Sequence, residues 1–205
     1  MEKKVENKEY KKTIITAKIS ALTLLAISLA YFLVNLIWNF EGNLILLQKI
    51  ELISFIPIII LLFFMFRGLI AIANKKKLKL LKNILGISLI CFILYQLVYV
   101  LFLWNLNSMA ILSVFIVILF LTGIAYIALG LSFFQLEKIY GKKVIWLIAI
   151  YVLNGIFFLL FRMLLSSPIL IKIIGITSDI TLMISYVLLI IMFDKFKKVN
   201  NIRKD

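Results

Sequence analysis

Three charged side chains lie well inside apolar stretches long enough to cross a bilayer: Arg67, Arg162 and Asp179. An ionisable group in hydrocarbon costs about 2.5–3.5 kcal/mol on insertion scales, so each needs a partner, a route to the surface or a task. Asp179 is surrounded by the hydroxyls of Thr177, Ser178 and Thr181. Arg162 belongs to the preceding apolar stretch, and the short Ser166-Ser167-Pro168 turn holds the two stretches side by side. With the membrane boundary near Lys172, Asp179 lies about 10 Å below the surface at about 1.5 Å per residue. An extended Arg162 reaches that depth. The pair therefore reads either as an ion pair joining two helices or as a substrate or proton site on a water-filled cavity. Arg67 is roughly 10 Å deep in its own stretch, where snorkelling and function compete. Lys18 and Lys172 sit close enough to span ends to snorkel.

Much chemistry is excluded by what the chain lacks. It contains no histidine, the commonest general base and metal ligand. Its single cysteine, Cys91, permits no internal disulfide and reads as a small buried hydrophobe. No HExxH, GxSxG, P-loop or nucleotide fingerprint is present. A Ser–Lys dyad remains formally open, but Asp179 is the only carboxylate well inside an apolar stretch, so paired-carboxylate chemistry is not available there. The expectation is a non-enzyme with no catalytic residues, no metal and no cofactor.

The elements that position these groups follow from hydropathy. Hydrophobic residues make up 64% of the chain and charged residues 16%, against about 45–50% and about 25% in soluble domains. Six stretches, approximately 17–38, 52–74, 84–104, 109–134, 144–165 and 169–193, can each cross about 30 Å of hydrocarbon. Residues 83–136 carry no charge at all, and Asn105-Leu106-Asn107-Ser108 breaks that run into a hairpin. Of the 23 Lys and Arg, all but Lys18, Lys49, Arg67, Arg162 and Lys172 fall in segments 1–12, 75–82, 138–143 and 195–204. These segments occupy alternate gaps, which by the positive-inside tendency places them and both termini in the cytoplasm. Trp38 and Trp104 mark outer ends and Trp146 an inner end, as interfacial tryptophans do. The uncharged run after the N-terminal lysines exceeds a signal-peptide h-region of about 7–15 residues, so it reads as a retained first span. The expected fold is all-α: a single domain over 1–205, a polytopic bundle of six transmembrane helices, N-in and C-in, in the cell membrane. Pro57 is expected to bend the second span and Gly141 to stop a helix, while Lys75–Lys82 reads first as a topology anchor and second as an amphipathic turn on the headgroups.

The net charge of +14 then needs no nucleic acid. Its basic segments flank spans, so anionic inner-leaflet phospholipid is the expected counter-charge. Asn35, Gln96 and Asn154 are neutral polar groups suited to interhelical hydrogen bonds, and Asn154 joins the candidate site through its place on the span that carries Arg162. Small residues at Ala17/Ala21, Ala26/Ala30 and Gly123/Gly130 mark close helix contacts, either within the chain or with a partner membrane subunit or second copy. Two functional readings stand ahead of an enzyme. One is a small transporter or the substrate-binding subunit of a transport system. The other is an accessory membrane protein (an immunity, assembly or envelope-stress factor) that works through helix–helix contacts. The first requires a polar cavity. The second requires a dry interior and an exposed face of small residues on the first or fourth span.

Overall fold

The computed structural model describes the backbone of residues 2–38, 44–104, 108–163 and 168–202, and the side chains of 7–33, 52–102, 104, 108–137, 139–142, 144–160 and 176–196. In chain order the helices are α1 (Glu2–Trp38), α2 (Leu44–Lys75), α3 (Lys79–Trp104), α4 (Met109–Ser132), the four-residue α5 (Glu137–Tyr140), α6 (Lys143–Met163) and α7 (Pro168–Ile202), with a 3-10 turn at Phe133–Leu136. Among the described residues, five of the six long helices contain stretches long and apolar enough to cross a membrane, and in the sixth, α6, the apolar stretch described is the shorter Val144–Leu160.

Helices suit such a sequence because they satisfy every interior backbone group within the segment, which hydrocarbon demands. The side chains are sorted to match. Ile53, Ile56, Ile87, Ile90 and Val117 all point outward and are more than half exposed, while Ser88, Thr122, Asn154, Thr181 and Ser185 are buried. An outer surface covered by large apolar side chains, with polar groups kept within beside an apolar core, is the reverse of a soluble domain's surface. The chain is a membrane-embedded helical bundle.

The six long helices pack as a closed ring in the order α1, α2, α3, α4, α6, α7, with α7 returning to α1. Small residues set two of the seams. A Cβ on Gly68 of α2 would run into the Ala17 side chain of α1. On α6, a Cβ on Gly155 would come within 2.6 Å of the Gly123 carbonyl oxygen of α4. Ala17 and Ala21 are fully buried, whereas Ala26 and Ala30 further along α1 are exposed. The small-residue pairs on one helix thus face in different directions.

At the end of the ring that carries the lysine segments, the interior is closed. Phe66, Phe133, Phe193, Leu69, Ile72, Leu81, Leu129 and Leu189 are all buried to 2% exposure or less. Short connections hold that end together. The α2–α3 turn closes with Leu78 N–H donating to Ala73 O at 2.8 Å and Lys77 N–H to Asn74 O at 3.1 Å, a Schellman arrangement. Lys77 takes the left-handed position at φ 57°. Gly141 stops α5 at φ 69°, a conformation suited to glycine, and its N–H donates to Glu137 O at 2.7 Å.

Helix α2 begins at Leu44 and runs through Pro57, and its membrane-length apolar stretch is Leu52–Lys75, close to the expected 52–74. Two local expectations are revised. The lysine cluster is only partly a turn: Lys76 and Lys77 form it, while Lys79 and Lys82 belong to the first turn of α3, where Leu81 is buried and Leu80 exposed. Lys18 makes a specific contact in place of free snorkelling, with its Nζ 2.7 Å from Asp194 Oδ1 and both side chains partly exposed. That pair ties α1 to α7 where the ring closes.

Candidate functional site: a polar cavity inside the ring

One to two turns beyond the closed end, the ring holds a cavity of about 250 Å³ to which all six long helices contribute. A single buried water needs only about 10–15 Å³ measured this way, so the space admits a small organic molecule. α7 supplies Ser178, Asp179 and Tyr186, and α6 supplies Asn154 and Phe158. α3 presents Phe92, Tyr95, Gln96 and Tyr99, spaced so that one helical face carries a run of polar and aromatic tips. Ser28 and Tyr31 of α1 and Thr122 and Tyr126 of α4 complete the polar wall, with Ile58 and Leu62 of α2 on the apolar side.

The aromatic side chains form a connected wall. Tyr95 stacks on Tyr99 with ring centroids 5.8 Å apart and meets Phe158 edge-on at 5.3 Å. Tyr126 lies 5.3 Å from Phe158 and 4.4 Å from Phe92. The wall therefore crosses α3, α4 and α6 without a break.

Asn154 is the most constrained polar group in the cavity wall. It is 1% exposed, and its Oδ1 accepts a hydrogen bond from the Thr181 hydroxyl of α7. The same hydroxyl lies 3.0 Å from Thr177 O and 2.9 Å from Ser178 O, so it is shared between the amide and its own helix. The Nδ2 of Asn154 has no hydrogen-bond partner. A buried amide donor left unmade costs about 1–3 kcal/mol, and this nitrogen is itself closed off from the open space of the cavity.

The candidate residues read from the sequence divide into three groups. Asn154, Ser178 and Asp179 line the cavity, and Thr177 and Thr181 stand beside them through the Thr181 hydroxyl. Arg67 is elsewhere: its side chain is exposed in a groove between α1 and α2 with Glu9, Lys12, Thr13 and Thr16. It belongs with the basic end and not with Asp179. The Arg162 backbone lies in the last turn of α6, but its side chain, and with it the Arg162/Asp179 pairing, falls outside the described residues. So does the side chain of Asn35.

Gln96 was read from the sequence as packing glue, yet it lines the cavity. Ser28, Tyr31, Tyr95, Tyr99, Thr122 and Tyr126 were not singled out. A signal existed for α3: Tyr95, Gln96 and Tyr99 concentrate hydrogen-bonding groups in a helix otherwise almost wholly aliphatic. Among the described residues, no group of three His, Cys, Asp or Glu is arranged to hold a metal ion. No protein-family model matches the chain, and neither does any curated protein or solved structure. What can be said of function therefore rests on the cavity.

Proposed function

We propose that the chain is a small membrane transporter, or the solute-binding membrane subunit of a transport system, and that its substrate occupies the cavity between the helices. The observation that carries this reading is the cavity itself, a space many times larger than one water that all six long helices line with polar as well as aromatic groups. A bundle that served only as a scaffold gains nothing by turning Asp179, Gln96 and Ser178 toward a void, since apolar filling of the same volume costs less. In this reading the helices cross the cell membrane six times with both termini in the cytoplasm, as the alternating lysine segments favour. Those lysines face anionic phospholipid, no nucleic acid is involved, and the work done is binding and passage without catalysis.

A second reading has one observation behind it. Ala26 and Ala30 are exposed on the outer surface of α1, where a partner helix could approach closely. An accessory protein acting through that face remains the alternative, and the same face suits a partner subunit or a second copy of a transporter.

The readings part over water in the cavity. In a Cys91→Ser background, Ser178→Cys is expected to react with a membrane-impermeant thiol reagent added outside intact cells. Leu129→Cys, in the closed half, is expected to stay unmodified from either side. If neither Ser178→Cys nor Ser28→Cys reacts from either face of the membrane, the cavity is sealed and the transport reading fails.

A further inference from the structure

We propose that the groove between α1 and α2 at the basic end is a discrete site for one anionic phospholipid, whose phosphate Arg67 and Lys12 hold between them. The groove lies on the outside of the ring, and the proposal does not rest on the solute-binding reading.

The first support is the place of Arg67. It lies eight residues before Lys75, the end of the apolar stretch of α2, which is about 12 Å at about 1.5 Å per residue. Phe66 and Gly68 on either side are buried, while Arg67 is exposed and so points out of the ring toward lipid. Among the described residues it makes no ion pair, the pair found there being that of Lys18 with Asp194. A guanidinium on the lipid side of a helix needs a counter-charge, and the bilayer is the source at hand.

The second support is the company Arg67 keeps. A groove of about 360 Å³ joins it to Lys12, with Glu9, Thr13, Thr16 and Phe64 around them. Positions 9, 12, 13 and 16 share one face of α1. The hydroxyls of Thr13 and Thr16 already donate to Glu9 O and Lys12 O, each at 3.0 Å. Lys12 and Arg67 are thus the charged donors of the groove, one from each helix, and the forked guanidinium suits a phosphate. Phe64, on the deeper side of Arg67, adds apolar surface for an acyl chain. The two walls are tied together nearby. Gly68 packs on Ala17, and the Nζ of Lys75 lies 3.3 Å from Asn7 Oδ1 and 4.0 Å above the Tyr10 ring.

The third support is the sign of the surroundings. Glu9 opposes an anion, but it stands at the shallow end and is outnumbered. Lys8 and Lys11 are exposed on the same turns of α1, and Lys77 is exposed just past α2. That field favours a lipid of net negative charge over a zwitterion. The Glu9 carboxylate then suits hydroxyl donors in the head, as a phosphoglycerol carries.

The test weighs the lipid that the protein keeps. The full chain is reconstituted in nanodiscs of phosphatidylglycerol, phosphatidylethanolamine and phosphatidylcholine in equal parts, released into mild detergent and examined by native mass spectrometry. One phosphatidylglycerol per chain is expected to remain, at least about fivefold above either zwitterionic lipid. Arg67→Gln should cut that retention about tenfold, and Lys12→Gln about fivefold. Lys79→Gln removes one charge from an exposed residue of the same end, outside the groove, and should stay within about twofold of the parent. Arg67 and Lys12 are exposed on different helices, so loss of fold in one variant leaves the other as the test. An equal loss in Lys79→Gln would mean that the lysine field alone gathers lipid, and would overturn the assignment. So would equal retention of the three lipids, a preference for phosphatidylethanolamine, or a parent chain that keeps no lipid.

Discussion

Phe66, Phe133 and Phe193 fill the space between the helices at the basic end of the ring, and the glycine and alanine at Gly68 and Ala17 draw α1 and α2 into contact beside them. One to two turns along the same helices, the interior is lined by Asp179, Asn154, Gln96 and five tyrosines, and a cavity of about 250 Å³ remains open. Membrane helices associate through packing and hydrogen bonds, because lipid is as apolar as leucine. The closed half therefore supplies the cohesion that the hollow half gives up. The division of labour resembles a clamp with an open jaw.

The sharpest way to break that contrast is to remove one phenylalanine from each half. Phe66→Ala deletes a fully buried ring in the closed end, and a loss of about 3–5 kcal/mol is expected. Phe158→Ala deletes a half-buried ring that already borders empty space, and should cost less than half as much. Reversible unfolding in mixed micelles measures both. Equal losses would mean that the two halves are packed alike.

A smaller effect sharpens the same contrast through a single hydrogen bond. Gln135, in the turn after α4, accepts from the backbone N–H of Leu81 at 3.2 Å and so caps the first turn of α3 with a side chain from another element. Gln135→Ala frees that donor at a part-buried site, with an expected loss of about 1 kcal/mol. The loss should appear as faster hydrogen exchange at the amides of residues 79–82, with exchange at Tyr95 and Tyr99 unchanged. Spread of the effect to the cavity helices would show that the two ends are not separable.

How far the sequence disclosed all this depends on which half is considered. The all-α class and the helix limits near Trp104, Met109 and Gly141 follow from hydropathy, tryptophan placement and stop residues, and α3, α4 and α5 end or begin there. Ala17/Ala21 and Gly123/Gly130 were recognisable as contact points, because small residues at helical spacing have few other uses. Asp179, Ser178 and Asn154 stood out as polar groups in apolar runs. Tyr31, Tyr95 and Tyr126 did not, because a tyrosine in a membrane helix is compatible with interface, core or cavity until neighbouring helices are placed. The Lys18–Asp194 contact joins residues 176 positions apart, and no local pattern announces a pairing set only by closure of the ring. Gln135 was hidden for the same reason: it caps a helix that begins more than fifty residues earlier.

Lys77 offers the gentlest test, and it turns on a conflict between two uses of one residue. At φ 57° it occupies the left-handed position that ends α2, where a Cβ is unfavourable and glycine is the usual choice. Lysine at this position keeps a positive charge in the basic turn at the cost of local geometry. Lys77→Gly removes the steric penalty, but it also loosens the unfolded chain, and the two effects oppose each other within about 1 kcal/mol. The expected result is a small gain in stability, under about 1 kcal/mol, with the hydrogen bonds from Leu78 N–H to Ala73 O and from Lys77 N–H to Asn74 O retained in kind. Because four further lysines lie between residues 75 and 82, the orientation of the chain should not change. A loss of stability on Lys77→Gly would mean that the lysine side chain itself holds the turn, and the closed end would then depend on its charges as well as on its packed core.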